Sequence, residues 1–578
     1  MRIEPESNRK CVHTILTRSY GRLLNSGLSI AALPPTFKAA ITCPHPHDWP
    51  SMTSDTFHNR DNFVLALITS MVVTLSWFLL TWRYGFDFGD EGYYWYGAQR
   101  VLRGEVPIRD FLAYDFGRYI WAATVMSLLG DDGIWGARVA AGIYQALTIC
   151  IGTFLALQAL DNSVSRLTKI LFAIAAALIL NLWAIPYYKA FDYGTSILIV
   201  AMLAIILTSL SRARWFGAGL ILGLAAIMGR NHGVYGACAG VLAVGFLTFK
   251  RRSISGLLQP VTAFIVGTIL SFSLTLVMEV FNPGFMEAFI AGVIEHVRST
   301  TTATNIPLPM PWPWTVSHGS DGWILWGSKV TIGTFFIALL LVPVLTILAL
   351  SRQRIEDFTR LHYILLAAAF AALMYAHYAY SRADVVHLAL SIFPLILILL
   401  TCGVLIRQIL PVAIALISLS VIMILQDAPI FTSAVLGRPM QTVVMNGSEI
   451  YVRPFVANHL QTAEFAFASM PNARENFLAI PNFPSLYALN RSKIAIWEIY
   501  SLSARDAKFE EAELARLKKT PPEVVLLSNH ALDDRPQLRY SNMHPVMYGW
   551  ILDNYRRMDT GPLSKLEVYV RNTGRPGQ

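Results

Sequence analysis

Between Phe86 and Trp121 the chain gathers six carboxylates (Asp87, Asp90, Glu91, Glu105, Asp110 and Asp115), four arginines (Arg100, Arg103, Arg109 and Arg118) and seven Tyr or Trp residues. Gly89-Asp90-Glu91-Gly92 opens a stretch, running to Leu102, whose spacing predicts a helix lying along a membrane surface with its aromatics at headgroup level. A carboxylate pair at a helix start is favoured in its ionised form by the macrodipole and by the free backbone N–H groups. An ionised carboxylate is what a general base for a hydroxyl nucleophile needs. The structural alternative is a cap, with Asp90 accepting the first N–H groups and Glu91 an ordinary first-turn acid. The two are compatible, since capping would also fix the carboxylate geometry.

The elements that must position this loop are set by composition. The 578 residues are 54% hydrophobic and 14% charged, against about 45–50% and about 25% in a soluble chain. With a mean hydropathy of +0.47, the excess apolar surface needs a bilayer. This predicts a polytopic membrane protein and excludes a nucleic-acid enzyme, a secreted disulfide scaffold and a disordered chain. The five cysteines (Cys11, Cys43, Cys150, Cys238 and Cys402) show no CxxC or metal-ligand spacing and read as small apolar residues.

Apolar runs predict about eleven spans, near 62–82, 134–160, 169–186, 195–210, 216–229, 234–249, 257–280, 331–350, 361–379, 388–406 and 409–426. Basic connectors alternate with the others: Arg166 and Lys169, Arg212 and Arg214, Lys250 to Arg252, Arg352 to Arg360, and Arg407. The positive-inside rule makes these and the basic tail cytoplasmic, and places loop 83–133 and everything after 427 outside. The expected organisation is a disordered cytoplasmic tail (1–61), a transmembrane domain (62–426) whose first external loop (83–133) carries the chemistry, and an external α/β domain (427–578). No cleavable signal is visible, and a start at Met52 is an alternative reading of the tail. In the last part, Lys508–Lys519 reads as a helix, and Asn476–Ile480, Val524–Leu527 and Leu566–Val570 read as strands.

Asp90-Glu91-Gly92 directly after the first span, a Tyr-rich helix, then Gly104-Glu105-Val106-Pro107 and Arg109-Asp110-Phe111 together resemble the GT-C glycosyltransferases. Within that class the pattern is most similar to the bacterial branch related to protein O-mannosyltransferases and to the lipid A aminoarabinose transferase. The resemblance covers the first loop closely and the architecture more loosely. It implies an all-α polytopic fold of the GT-C kind with a C-terminal extramembrane α/β domain. The implied partners are a polyprenyl-phosphate-linked sugar donor, a glycan, lipid or protein acceptor, and the bilayer, with no nucleic acid. The implied place is a bacterial inner membrane with the C-terminal domain periplasmic. Asp90 would deprotonate the acceptor hydroxyl, Glu91 would position acceptor or sugar, and Tyr93 on the same helix would contact substrate. No cofactor is implied. Phosphate is already a fair leaving group, so a cation to hold the departing charge matters more than a Lewis acid.

Basic residues at the outer ends of spans could be that cation: Lys189, Arg230 and Arg382. Each reads equally as a structural ion pair or a snorkelling anchor. Asp192 resembles the second-loop aspartate of the family, and Arg382, Asp384 and His387 resemble an R-x-D-x-x-H loop of bacterial relatives. A metal at Asp384 and His387, with His377 nearby, lacks a third spaced ligand, and the Trp-Trp-Asp signature of the oligosaccharyltransferase branch does not occur. His232, His318, His530 and His544 read as structural. Pro311-Trp312-Pro313-Trp314 reads as an interfacial belt or a loop over a lipid or sugar. The competing functions are a lipid or polysaccharide transporter, which should show paired halves with broken helices, and a surface-polysaccharide ligase or polymerase.

Overall fold

A computed structural model describes residues 56–252, 254–298, 309–317, 322–560 and 566–572. Most of the tail, Met52, His318 and the side chains of His296 and Arg298 lie outside the described residues. The chain forms two compact units, Met1–Arg60 and Asp61–Gln578. Only a short helical stretch of the first is described, and loop 83–133 belongs to the second.

Helices dominate, as the apolar runs require. Eight carry the first half: α1 (Thr56–Thr81), α2 (Asp90–Leu102), α3 (Gly117–Leu129), α4 (Ile134–Gln158), α5 (Arg166–Leu182), α6 (Ala190–Thr208), α7 (Arg212–Met228) and α8 (Arg230–Arg251). Further helices follow at Leu258–Phe272, Leu274–Phe281, Phe285–Arg298, Gly322–Arg352, Arg360–Ser381, Val385–Ser391, Phe393–Leu405 and Ile409–Ile424. Their ends follow local chemistry. Ser165 accepts the Thr168 N–H at 3.1 Å to start α5, and Gly130 takes a left-handed φ of 65° to stop α3.

Each of the eleven expected stretches is helical, but the span count is not eleven by length. Among the described residues seven helices are long and apolar enough to cross a bilayer, or eight with Val385–Ser391 and Phe393–Leu405 taken as one span bent by 62°. α5 and α7, of 17 residues each, and Ile409–Ile424, of 16, fall short of the roughly 20 residues a bilayer asks for. The apolar window of Tyr187–Thr208 is 83% buried, whereas that of Ser255–Phe281 is only 17% buried, so the former is central and the latter peripheral. Peripheral helices expose Leu75, Leu79, Leu80, Ile269 and Leu270, apolar surface that only lipid can cover. The chain is an integral membrane protein with a C-terminal extramembrane α/β domain.

In that domain β1 (Gln441–Met445) and β2 (Ser448–Val452) form a hairpin. Its turn, Asn446-Gly447, has φ of 47° and 79°, the pair of positive values that a type I′ turn demands. β3 (Phe477–Ile480), β4 (Val524–Leu527), β5 (Tyr555–Met558) and β6 (Glu567–Arg571) form a sheet in the order β3-β4-β6-β5. β3 and β4 pair in parallel, and the other pairs are antiparallel. All residues of β3 and β4 are buried, as their unbroken apolar runs require. The helix expected at Lys508–Lys519 is Ala507–Leu517, capped by Asp506, which accepts the Phe509 N–H at 2.8 Å.

One expectation is corrected. The aromatics of α2 do not sit at a membrane surface. Trp95 and Tyr96 are fully buried and Tyr94 nearly so: Trp95 donates to the Asp132 carbonyl and Tyr94 to that of Ala137, while the C-terminal domain closes over Tyr96. The Ser485 N–H donates to the Phe88 carbonyl at 3.1 Å and its hydroxyl to the Asp87 carbonyl at 2.9 Å. The Tyr96 hydroxyl donates to the Ser492 carbonyl, and the Gln99 amide to that of Ala488. Gly92 makes the approach possible, since a Cβ there would stand 2.7 Å from the Ser485 Cα. Gly92→Ala is therefore expected to destabilise the protein by about 1–3 kcal/mol through overpacking, read as a lowered melting temperature in detergent. An unchanged melting temperature would mean that the contact relaxes.

Candidate active site

The turn that starts α2 separates three acids by what each touches. The Asp87 carboxylate accepts the N–H of Asp90 at 2.5 Å and of Glu91 at 3.4 Å. Asp87, not Asp90, therefore satisfies the first orphan donors of the helix, and the cap reading of Asp90 is corrected. Enclosure by protein, then the charges of Asp90 and Glu91, push Asp87 up to about 7.

Glu91 is only 2% exposed. Arg138 donates to it through Nε at 2.8 Å and Nη2 at 3.2 Å, the Tyr187 hydroxyl donates to the same carboxylate, and the Asp87 N–H adds a bond of 3.2 Å. Arg138 also donates to the carbonyls of Trp82 and Gly85 and lies over the Tyr187 ring. This pair fixes the exit of α1, the start of α2, α4 and the 187–189 turn to one another.

Asp90 is different. Its side chain is 35% exposed, with the Lys189 Nζ at 3.2 Å from Oδ2 and the Tyr500 hydroxyl donating to Oδ1 at 3.1 Å. Around it stands a tyrosine cluster: Tyr93 faces Tyr500, Tyr114 and Tyr119 with ring centroids 5.1, 5.6 and 5.8 Å away. The Tyr93 hydroxyl is buried beside Tyr119 with no well-formed hydrogen bond among the described residues. Arg230, half-buried at the start of α8, makes no hydrogen bond or ion pair among the described residues, and lies within electrostatic reach of Tyr93, Tyr114 and Asp115.

Asp192, near the start of α6, is held by two 3.3 Å bonds from Arg118 and by His232 Nε2 at 3.4 Å. Arg118 also pairs with Asp115 at 2.8 Å, and His232 Nδ1 lies 2.7 Å from the Tyr375 hydroxyl. Burial raises Asp115 above the usual carboxylate range. The loop motif from Gly104 to Asp110 closes on itself: Glu105 pairs with Arg100, and Asp110 accepts the Val106 N–H at 2.8 Å while pairing with Arg109.

The Arg382, Asp384 and His387 group stands apart from these contacts with Asp90. Asp384 caps the helix Val385–Ser391 by accepting the His387 N–H at 2.8 Å, and lies 2.8 Å from His387 Nδ1. Arg382 pairs with Asp384 at 2.8 Å and with Asp533 of the C-terminal domain at 2.7 Å. His377 pairs instead with the Tyr235 hydroxyl. Among the described residues no three His, Cys, Asp or Glu side chains converge as metal ligands. Trp312 and Trp314 stack on each other at 5.5 Å, with Trp314 exposed. A cavity of about 310 Å³ borders Asp87 and Glu91 and runs past Tyr188, Trp82 and Trp77 to Thr74 in α1.

Sequence reasoning missed Tyr500 and Asp87. No motif marks Tyr500, which arrives from 410 positions away. Asp87 was legible only as an acid three residues before Asp90, the spacing of a cap.

The Asp87 position gives a sign for pH dependence. The folded protein keeps this proton to near pH 7, whereas an unfolded chain gives it up near pH 4. Between those values the folded state binds more protons, so stability falls as pH rises. Glu498, pushed up to about 7 by burial, has the same sign. Melting temperature should fall from pH 5 to 7.5, and Asp87→Asn should flatten that slope. An equally steep slope in the variant would remove Asp87 as its source.

No protein-family model matches the chain, and no curated protein does. Among solved structures it is similar to ArnT from Cupriavidus metallidurans bound to undecaprenyl phosphate, at 14% identity over 88% of this chain and 97% of that one, with a TM-score of 0.45. It is also similar to the Archaeoglobus fulgidus oligosaccharyltransferase in the apo form, at 10% identity over 90% of this chain and 75% of that one, with a TM-score of 0.43.

Proposed function

We propose that this chain is a membrane glycosyltransferase of the GT-C kind. It moves a sugar from a polyprenyl-phosphate carrier to an acceptor hydroxyl, with Asp90 as general base. The observation that carries the reading is the contrast among the three acids. Asp87 caps, Glu91 is saturated by protein donors, and Asp90 alone is left open, between Lys189 and a tyrosine cluster. A carboxylate this exposed, beside two acids that protein donors already occupy, is suited to take a proton from substrate.

The acceptor hydroxyl donates to Asp90 and attacks the anomeric carbon from the face opposite the phosphate, so the configuration inverts. The bond from that carbon to the phosphate oxygen breaks, and its electron pair leaves with the carrier phosphate. The proton passes to Asp90 and from there to water or to the departing phosphate. Arg230 and Lys189 supply positive charge for that phosphate, and the Tyr93 hydroxyl, buried beside Tyr119, lies on the same side of the helix start. Asp192 holds Arg118 behind this group. Arg382, Asp384 and His387 act as the clasp that keeps the C-terminal domain over the site. The basic connectors support a cytoplasmic N-terminus and a C-terminal domain on the opposite face, and the resemblance implies that the membrane is a bacterial inner membrane and that face periplasmic. The single bent helix pair has no counterpart among the described residues, which leaves a transporter without its paired broken helices.

The test is mass spectrometry of polyprenyl-phosphate sugars in a deletion strain complemented with wild type or with Asp90→Asn. One lipid-linked sugar is expected to accumulate in both the uncomplemented strain and the variant, because Asn keeps shape and loses basicity. Clearance of that sugar by Asp90→Asn would remove Asp90 from the mechanism. Because side-chain cations stand where the phosphate departs, turnover is expected to persist in EDTA. Loss of turnover restored by a divalent cation would contradict this.

A further inference from the structure

We infer that Tyr500 is a positioning residue for Asp90, so that the C-terminal domain supplies part of the active site rather than a cover for it. This rests on the reading of Asp90 as the base. The phenol donates to Asp90 Oδ1 at 3.1 Å while Lys189 holds Oδ2 at 3.2 Å, one partner on each oxygen. Together they fix the carboxylate plane that an acceptor hydroxyl must meet, and orientation of this kind is a large part of what a site contributes to rate.

Tyr500 is placed by more than its own contact. The Trp497 N–H and Glu498 N–H both donate to the Glu513 carboxylate, at 2.8 and 3.0 Å. The Trp497 indole donates to the Ile108 carbonyl at 3.0 Å, and the Leu112 N–H donates to the Trp497 carbonyl at 2.8 Å. The Ser501 N–H donates to the Pro481 carbonyl at 2.9 Å, and Arg505 pairs with Glu498 at 2.6 Å. The segment is thus pinned on one side to the first loop and on the other to the C-terminal domain. The Tyr500 ring, only 8% exposed, is packed beside Tyr93 and over Gly89. A phenol held this firmly, with its hydroxyl on an otherwise open carboxylate, has no packing reason to be Tyr rather than Phe.

The test uses the full chain in detergent and Tyr500→Phe, which keeps the ring and removes the donor. Dicyclohexylcarbodiimide labelling of Asp90, read by peptide mass spectrometry against the exposed Glu449 as internal reference, should rise about tenfold in the variant. That is the factor expected on freeing a carboxylate from one hydrogen bond to a charged group. In the complemented strain the lipid-linked sugar pool should stand between those of wild type and Asp90→Asn. Unchanged relative labelling overturns the inference, and so does a wild-type sugar pool beside raised labelling. Failure of the base reading is distinguishable: there Asp90→Asn itself leaves no accumulated sugar. A parallel rise at Glu449 would mark general loosening and would likewise overturn the positioning role.

Discussion

Burial of Glu91 against Arg138 is the constraint on which the rest of the site depends. Two opposite charges that are 2% and 1% exposed are tolerated only if nearly every remaining donor and acceptor is satisfied. Here they are: Tyr187 and the Asp87 N–H complete the carboxylate, and the carbonyls of Trp82 and Gly85 complete the guanidinium. The price of holding this pair dry is that four chain segments are locked to one geometry. That lock orients the first turn of α2, and with it the one acid of the turn that remains open.

The C-terminal domain is integrated with this arrangement rather than appended to it. Ser485, Ala488 and Ser492 take or give hydrogen bonds along α2, Tyr451 pairs with the chain at Arg83 and Gly85, and Arg382 bridges to Asp533. The first loop therefore lies between two bodies of the same protein. Three of its four arginines are consumed by acids, Arg100 by Glu105, Arg109 by Asp110 and Arg118 by Asp115 and Asp192, and Arg103 donates to the carbonyls of Arg491 and Ser492. Arg230, at the start of α8, stands near the tyrosine cluster with no hydrogen bond or ion pair among the described residues.

Much of the fold was legible because its signals are local. Apolar runs marked every long helix, and Val524–Leu527 showed a buried strand by lack of alternation. The hairpin at Asn446-Gly447 carried an equally local sign that went unread. The number of spans was less legible, because α5 and α7, of 17 residues each, lie at the lower edge of the length that crosses a bilayer. In the site, Asp90 and Lys189 were visible as acid and base near span ends, and the structure brings them together. The aromatics of α2 misled because Tyr and Trp suit a membrane interface and a protein core equally well. What decided between those was Gly92, whose meaning depends on Ser485, nearly four hundred positions later. Tyr500 was invisible for the same reason, since a partner brought by tertiary structure leaves no trace in spacing.

That separation also sets when the site can exist. The Asp90 carboxylate and the phenol it meets are 410 positions apart in the chain. Translation proceeds at about 5–20 residues per second, so Asp90 leaves the ribosome about 20–80 s before Tyr500 is made. Throughout that interval α2 stands beside its membrane helices without the Tyr487 and Ser492 that cover Tyr96. A nascent chain thus holds Asp90 in an unfinished setting, and its surroundings are complete only when synthesis is.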